Sequence, residues 1–253
     1  MIESLILYFQ FFTRIPIPVA IDEPEEKMRS GVRFFSLFGL MIGFIEATAY
    51  WPLQHLFSPS LAWLFVLFFD VLLTGGFHLD ALSDMADGLF SSRDRERMLA
   101  IMKDSRVGSN GILAVVFYYL FLIFSFLVVF PHLDVAGQAT IVLLMNLVGK
   151  NGISLLFYRM QYAGDNAQGL GTTFLNVKSL HISICQLFSF LVLLLFLGRV
   201  GIACFFVNVL VTVLYRKLVL SKVGGLNGDT LGACSPIAQV AFLLTVVLLR
   251  GFL

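Results

Sequence analysis

The chain has 253 residues, of which 58% are hydrophobic and only 13% are charged. A soluble domain carries about 25% charged residues, so this chain has too few polar groups to cover its surface and needs lipid around part of it. The formal net charge of +1 excludes the strongly basic surface that nucleic-acid binding requires. We therefore expect one integral membrane domain over residues 1–253, with the lipid bilayer as a partner and no nucleic acid.

Apolar runs long enough to cross a bilayer, about 20 residues each, recur along the chain. The first apolar run, over residues 5–12, is too short for this and predicts a segment at the membrane interface. About seven spans are predicted after it, near residues 32–50, 60–76, 110–130, 135–158, 179–198, 200–221 and 235–253. The expected fold is therefore an all-α, polytopic helical bundle.

The distribution of Lys and Arg predicts the orientation of this bundle, because cytoplasmic loops keep these residues in excess. With the N-terminus inside, every Lys and Arg lies on the cytoplasmic side except Arg199, Arg250 and Lys150, the last of which lies within a span. The three inner loops between spans then cover residues 77–109, 159–178 and 221–234. Because the polar motifs lie in these loops, we expect an active site on the cytoplasmic side.

The first inner loop contains a stripe of carboxylates. Asp80, Asp84 and Asp87 are spaced by four and three residues, which places them on one face of a helix. The carboxylates of such a stripe repel one another unless a cation neutralises them. Mg²⁺ binds oxygen ligands, which carboxylates and substrate phosphates usually supply together. Asp104, beside Arg106, is a candidate fourth ligand. The alternative is a solvated acidic face, but acidic residues close to a membrane are usually functional, which favours a metal site.

The third inner loop is rich in glycine and reads GGLNGDTLGA over residues 224–233. Gly225 and Gly228 let backbone N–H groups approach an anion closely, as in phosphate nests. Asp229, at the centre, is a candidate metal ligand or general base. The alternative interpretation of this loop is an ordinary turn between two helices.

Four further side chains are candidates for substrate contacts: His78, Arg106, Lys150 and Arg159. Arg159 suits a bidentate contact with a phosphate, or it marks the membrane boundary. Lys150 lies within an apolar span, so it either extends to the inner face or pairs with an anion in the site. Glu46 and Asp70 also lie in apolar runs, and we expect them to be structural partners.

Taken together, the motifs resemble those of the cobalamin synthase family. GGFHLDALSDMADG at residues 75–88 and KDSRVGSNG at residues 103–111 are similar to its pattern GGxHxDGLxDxxDG with a downstream MxDSRxGxxG. Further similarities are spread along the chain in the family's order: TRIPIP at 13–18, FFSLFGLMIG at 34–43, YRMQYA at 158–163, GLG at 169–171 and NGDTLGA at 227–233. The resemblance therefore covers nearly the whole chain.

This resemblance implies an adenosylcobinamide-GDP ribazoletransferase, a Mg²⁺-dependent enzyme of the inner membrane of bacteria or archaea. Such an enzyme joins adenosylcobinamide-GDP to α-ribazole, or to its 5′-phosphate, late in cobalamin biosynthesis. GMP is released and adenosylcobalamin, or its 5′-phosphate, is formed. A homo-oligomer, or an association with other enzymes of the pathway, is compatible with this function.

The resemblance also transfers position by position. Asp80, Asp84, Asp87 and Asp104 match the acidic motifs, and Asp229 matches the Asp of the GD pair. From the chemistry of these residues we assign the first four carboxylates to Mg²⁺. Asp104 and Asp229 are then the candidate catalytic residues, with Asp229 as the general base.

Some positions depart from the family pattern. Ala81 replaces the usual glycine, and Lys150 and Gly164 stand where arginine is expected. Pro236 and Gln239 stand where glutamates are common. The acidic motifs are intact, so the activity is retained in our prediction, whereas a role for the last helix in metal or nucleotide binding is left open.

Two other classes of membrane protein fit the sequence motifs less well. CDP-alcohol phosphotransferases share an acidic stripe, but their pattern DxxDGxxAR…GxxxDxxxD has a shorter first spacing than Asp80 to Asp84 and a second paired element that is missing here. A transporter places its ionisable groups near the middle of the bilayer, in broken helices. Here the acidic residues gather in an inner loop, which favours an enzyme.

Overall fold

The fold is that of a computed structural model, which describes residues 1–164 and 170–252. Gly169 of the GLG motif lies outside the described residues. The described chain is helical, apart from one isolated backbone bridge. Its α-helices are α1 (Ile2–Phe12), α2 (Pro24–Gly31), α3 (Phe35–Leu56), α4 (Pro59–Thr74), α5 (Phe77–Ser91), α6 (Arg95–Met102), α7 (Ser109–Val129), α8 (Val135–Leu156), α9 (Ser179–Val223), α10 (Gly228–Gly232) and α11 (Cys234–Leu249).

Most of these helices are long and apolar enough to cross a membrane. Five helical segments of the described chain pass this test by length and composition, and a sixth is formed if α4 and α5 are counted as one bent span. The prediction of an all-α, multi-pass membrane bundle is therefore confirmed. The count of about seven spans stays a prediction.

Helix α9 contains two of the predicted spans. Its 45 residues are interrupted at Gly198, whose φ of +53° is in the region that favours glycine. The ring of Phe190, before the break, lies 5.3 Å from the ring of Phe205, after it. The two arms of α9 therefore fold back against each other as an antiparallel pair, which matches the predicted segments 179–198 and 200–221.

Helix α8 forms the centre of the bundle, with 78% of its most apolar stretch buried. It packs against α3, α9 and α11. Glycines on α3 allow the closest of these approaches: a Cβ atom at Gly39 would lie 2.5 Å from the backbone oxygen of Asn146. Because small residues let helix backbones approach each other, this pairing resembles the packing of membrane helices in general.

A sharp bend separates α4 from α5. The two helix axes differ in direction by 88°. Gly75 and Gly76, between them, have φ values of +67° and +70°, which residues with a side chain rarely adopt. The glycine pair therefore turns α5, with its acidic stripe, across the end of the bundle.

The second and third predicted loops are joined by their backbones. The N–H of Ala163 donates to the carbonyl of Leu226 at 2.9 Å, and the N–H of Leu226 donates to the carbonyl of Gln161 at 2.7 Å. Gly225 is buried at this junction, where an added Cβ atom would lie 2.8 Å from the nitrogen of Ala163. The third loop is therefore more than a turn, and it continues into α10.

Candidate active site

The predicted acidic stripe lies on a helix, as expected from its spacing. Asp80, Asp84 and Asp87 are all on α5, and their exposure decreases along it. Asp80 is exposed, Asp84 is half-buried, and only 4% of Asp87 is accessible. The three carboxylates therefore have different surroundings.

Asp87 caps the first turn of α7. Its Oδ2 atom accepts a hydrogen bond from the N–H of Gly108 at 2.7 Å, and its Oδ1 atom accepts one from the N–H of Gly111 at 2.9 Å. The first N–H groups of a helix have no partner within the helix, so a buried carboxylate is a favourable acceptor for them. We predicted a metal ligand here, whereas both oxygens of Asp87 already bind the backbone of α7.

A signal for this contact was present in the sequence. The residues GSNG at 108–111 come directly before a long apolar run, as expected for the start of a helix. No Asp or Glu lies in the first turn of α7, and its N-cap, Gly108, has no side chain to accept a hydrogen bond. Such a helix needs an acceptor from elsewhere in the chain, and Asp87 supplies it.

Helix α10 brings a further carboxylate to the stripe. It packs directly on α5, so that a Cβ atom at Gly232 would lie 2.6 Å from the Cβ of Ala81. Asp229, at the start of α10, is close enough to Asp84 and Asp80 for their negative charges to repel one another. The structure therefore brings Asp80, Asp84 and Asp229 together from two loops that are distant in sequence.

These three carboxylates have no cationic side chain to neutralise them. Across residues 1–164 and 170–252 none of them forms an ion pair. In the same residues no three His, Cys, Asp or Glu side chains are arranged to hold a metal ion by themselves. This donor set suits Mg²⁺, which is usually bound through one or two carboxylates together with substrate phosphates and water.

Asp104 and Arg106 form an exposed ion pair. The Arg106 Nη2 atom lies 2.6 Å from the Asp104 Oδ2 atom, and the Arg106 Nε atom donates to both carboxylate oxygens at 3.1 Å. These hydrogen bonds from Arg106 lower the pKa of Asp104 to about 2. Within the described residues, no hydrogen bond or ion pair joins Asp104 to the carboxylates of α5. The role of Asp104 as a ligand of the metal site stays a prediction.

His78 and Lys150 meet beneath the acidic stripe. Lys150 is only 1% exposed, and its Nζ atom lies 3.5 Å from the Nε2 atom of His78. The ammonium group also lies over the rings of Phe12 and Phe38, 5.8 Å from each ring centre. Lys150 therefore does not extend to the surface, and its contact with the site passes through His78.

Two acidic residues compensate the charge of Lys150. The negative charges of Asp70 and Glu46 both act on its ammonium group. The side-chain nitrogen of Asn146 donates to Glu46 at 2.7 Å and approaches an oxygen of Asp70 at 3.4 Å. Within the described residues Lys150 forms no ion pair, so its pairing with an anion in the site stays a prediction.

The remaining candidates lie at the edge of the site. Arg159 is exposed, and its guanidinium lies 5.4 Å from the ring centre of Tyr158. Gly228 is exposed at the start of α10, with open space where a Cβ atom would be. Gly225 is instead buried against the backbone of residues 162–163. Of the two glycines, only Gly228 is open to a substrate.

The helices and the site together define a multi-pass membrane protein with carboxylates gathered at one end of its bundle. The particular family follows from comparison with known proteins: this chain belongs to the cobalamin-5-phosphate synthase family, whose model matches residues 4–247. No solved structure matches the chain.

Curated relatives match this chain over nearly their full length. The protein of Listeria welshimeri serovar 6b is 43% identical over 251 residues, which cover 99% of this chain and 100% of the relative. The protein of Clostridium novyi is 36% identical over 253 residues, which cover 98% of each chain. Both relatives are named adenosylcobinamide-GDP ribazoletransferase.

Proposed function

We propose that this chain joins adenosylcobinamide-GDP to α-ribazole, or to α-ribazole 5′-phosphate, and releases GMP. The product is adenosylcobalamin or its 5′-phosphate, formed late in cobalamin biosynthesis. The observation that carries the proposal is the meeting of Asp80, Asp84 and Asp229 on α5 and α10. Three carboxylates without a cationic partner suit a reaction at a diphosphate, and the relatives' shared name supplies the two substrates.

The reaction is a displacement at phosphorus. A ribose hydroxyl oxygen of the α-ribazole unit, other than the 5′ oxygen that carries the phosphate in α-ribazole 5′-phosphate, forms a bond to the phosphorus attached to cobinamide, and the bond from that phosphorus to the oxygen of the departing GMP breaks. Such reactions depend mainly on positioning and on neutralising charge. Asp229 is half-buried opposite the α5 stripe, and we assign it the proton of the attacking hydroxyl.

Asp80 and Asp84 are the residues we assign to Mg²⁺, together with the diphosphate of the substrate. When bound, the ion would neutralise the negative charge on the diphosphate and on these carboxylates. Asp87 is engaged with the backbone of α7, and Asp104 is paired with Arg106. Asp80 and Asp84 are therefore the members of the stripe with oxygens available to an ion.

Arg106 and Arg159 are our candidates for contacts to the diphosphate. Both side chains are exposed, and 88% of the Arg106 side chain is accessible. A guanidinium group can donate two parallel hydrogen bonds to a phosphate, which also fixes its orientation. Lys150 is too deeply buried for this role, so we assign it to holding His78.

We further propose that the N-terminus and the active site face the cytoplasm. The segments that pack around the site contain most of the chain's Lys and Arg, including Arg95, which donates to the carbonyl of Val223 at 2.8 Å. Cytoplasmic segments of membrane proteins keep these residues in excess. The substrates and GMP would then enter and leave on the side where nucleotides are made.

The function is tested by measuring GMP release from membranes that contain this chain. Adenosylcobinamide-GDP, α-ribazole and Mg²⁺ are supplied together, and each is omitted in turn. We expect GMP only when all three are present, and we expect the corrinoid product to contain the ribazole. GMP released without α-ribazole would indicate hydrolysis rather than transfer, and no GMP from folded protein would overturn the proposal.

A further inference from the structure

An apolar pocket opens beside the acidic site. It lies between α1, α5, the C-terminal end of α8 and α10, and the cavity it encloses has a volume of about 40 Å³. Six rings contribute to its lining: Phe11, Phe12, Phe77, His78, Phe157 and Phe174. Aromatic linings favour flat ligands.

The pocket shares its walls with the site. His78 lies on α5, two residues before Asp80, and also lines the pocket. Gly228 and Gly232 of α10 line it as well, on either side of Asp229 in the sequence. A ligand in the pocket is therefore next to the carboxylates to which we assign the chemistry.

The rings are already arranged in parallel pairs. The rings of Phe157 and Phe174 are stacked with their centres 4.4 Å apart and 8° between their planes. The ring of Phe12 is stacked on His78, with 5.8 Å between centres and 12° between planes. These rings line the pocket, and stacking on aromatic side chains is a general way to bind a base.

The polarity of the lining discriminates between the bases of the two substrates. Among the described residues that line the pocket, His78 alone has a polar side chain. The Nε2 atom of His78 lies 3.5 Å from the ammonium group of Lys150, which leaves Nδ1 as the other polar atom of the ring. Guanine has several donors and acceptors, and most would be buried here without a partner, which is costly.

We infer that this pocket binds the base of α-ribazole, a flat benzimidazole with apolar carbons and one free ring nitrogen. The inference rests on the proposed function and deepens it, because it assigns one substrate to one part of the site. A base held among these rings leaves its ribose at the edge of α10, beside Asp229. The diphosphate of the other substrate then lies over Asp80 and Asp84.

The test compares two phenylalanines of α1. Phe11 lines the pocket, whereas Phe9 is also half-buried but packs on Phe38, with 5.1 Å between ring centres. For Phe11→Ala we expect the KM for α-ribazole to rise about tenfold or more, while the KM for adenosylcobinamide-GDP changes less than about twofold. Phe9→Ala should change neither value, and Phe11→Trp, which keeps an aromatic face, should restore binding.

A second measurement distinguishes the pocket assignment from the proposed transfer reaction. It is the direct binding of α-ribazole to the full-length protein in lipid nanodiscs, measured by equilibrium dialysis. Wild-type protein that binds α-ribazole more tightly than Phe11→Ala but makes no GMP would leave the pocket assignment standing and overturn the proposed transfer. Wild-type protein that makes GMP while Phe11→Ala and Phe9→Ala behave alike in both measurements would overturn the pocket assignment alone. An equal rise in the KM for both substrates would also overturn it.

Discussion

The carboxylate of Asp87 accepts a hydrogen bond from the backbone N–H of Gly108 at 2.7 Å. Asp87 belongs to the helix that crosses the end of the bundle, and Gly108 is the N-cap of the apolar helix α7. One buried side chain therefore fixes the acidic helix to a membrane helix. The third carboxylate of the stripe stabilises the position of the other two.

Loss of this cap should destabilise the protein. We expect Asp87→Ala to lower the free energy of unfolding by about 2 kcal/mol or more, because the part-buried N–H of Gly108 and the buried N–H of Gly111 lose their acceptor. The measurement is thermal unfolding in detergent. Asp94→Ala is the matched control, since Asp94 caps α6 through the N–H of Arg97 at an exposed position. Equal shifts in the two variants would contradict a special role for the buried cap.

Substitution of a single carboxylate of the acidic stripe should reduce the rate of the reaction. We expect Asp84→Asn to reduce the rate of GMP release by about a hundredfold or more, because an interaction with charge at the reacting diphosphate is removed. The rate is measured over a range of Mg²⁺ concentrations, with EDTA as the metal-free condition. Glu96→Gln, an exposed carboxylate on α6, should keep the wild-type rate. Full Mg²⁺-dependent activity in Asp84→Asn would remove the metal assignment.

The buried charge of Lys150 gives a prediction about stability. Lys150→Met removes the buried ammonium group whose charge acts on Glu46 and Asp70, and leaving a buried charge uncompensated costs about 3–5 kcal/mol. The double variant Lys150→Met with Glu46→Gln removes one of the uncompensated acids and should recover part of the loss. Both are compared with wild type by thermal unfolding in detergent. A double variant less stable than Lys150→Met would show that Glu46 is not an acid whose charge Lys150 compensates.

The glycine pair at the bend permits a matched comparison. Both positions have positive φ, so Gly75→Ala and Gly76→Ala each carry a backbone cost of about 1 kcal/mol. At Gly75 an added Cβ atom would also collide with the guanidinium of Arg14, whereas at Gly76 its nearest neighbour is Val71 at 3.9 Å. We expect Gly75→Ala to lower the melting temperature more than Gly76→Ala. The reverse order would contradict the placement of Arg14 against the bend.

The orientation of the protein in the membrane can be measured by labelling single introduced cysteines. The natural Cys185, Cys204 and Cys234 are buried, so they leave exposed positions free for labelling. In intact cells, a membrane-impermeant maleimide should label His132→Cys and should label Arg93→Cys only after permeabilisation. Labelling of Arg93→Cys in intact cells would place the site outside.

Much of this fold follows from local patterns. The apolar runs predict the membrane helices, and the spacing of Asp80, Asp84 and Asp87 predicts their common face on α5. The partners of these residues depend on packing between distant segments, which periodicity does not contain. The cap of α7 by Asp87 and the network of Lys150 with Glu46 are contacts of this kind. Spacing alone therefore could not predict that Asp87 also holds two helices together, and its role as a metal ligand stays a prediction.

The folded-back arms of α9 separate the two halves of the site along the chain. The stripe on α5 is synthesised early, whereas Asp229 follows both arms of α9. A ribosome that has completed α8 has therefore made most of the bundle but no opposing carboxylate. The group of three carboxylates is therefore complete only after the chain beyond α9 has been made.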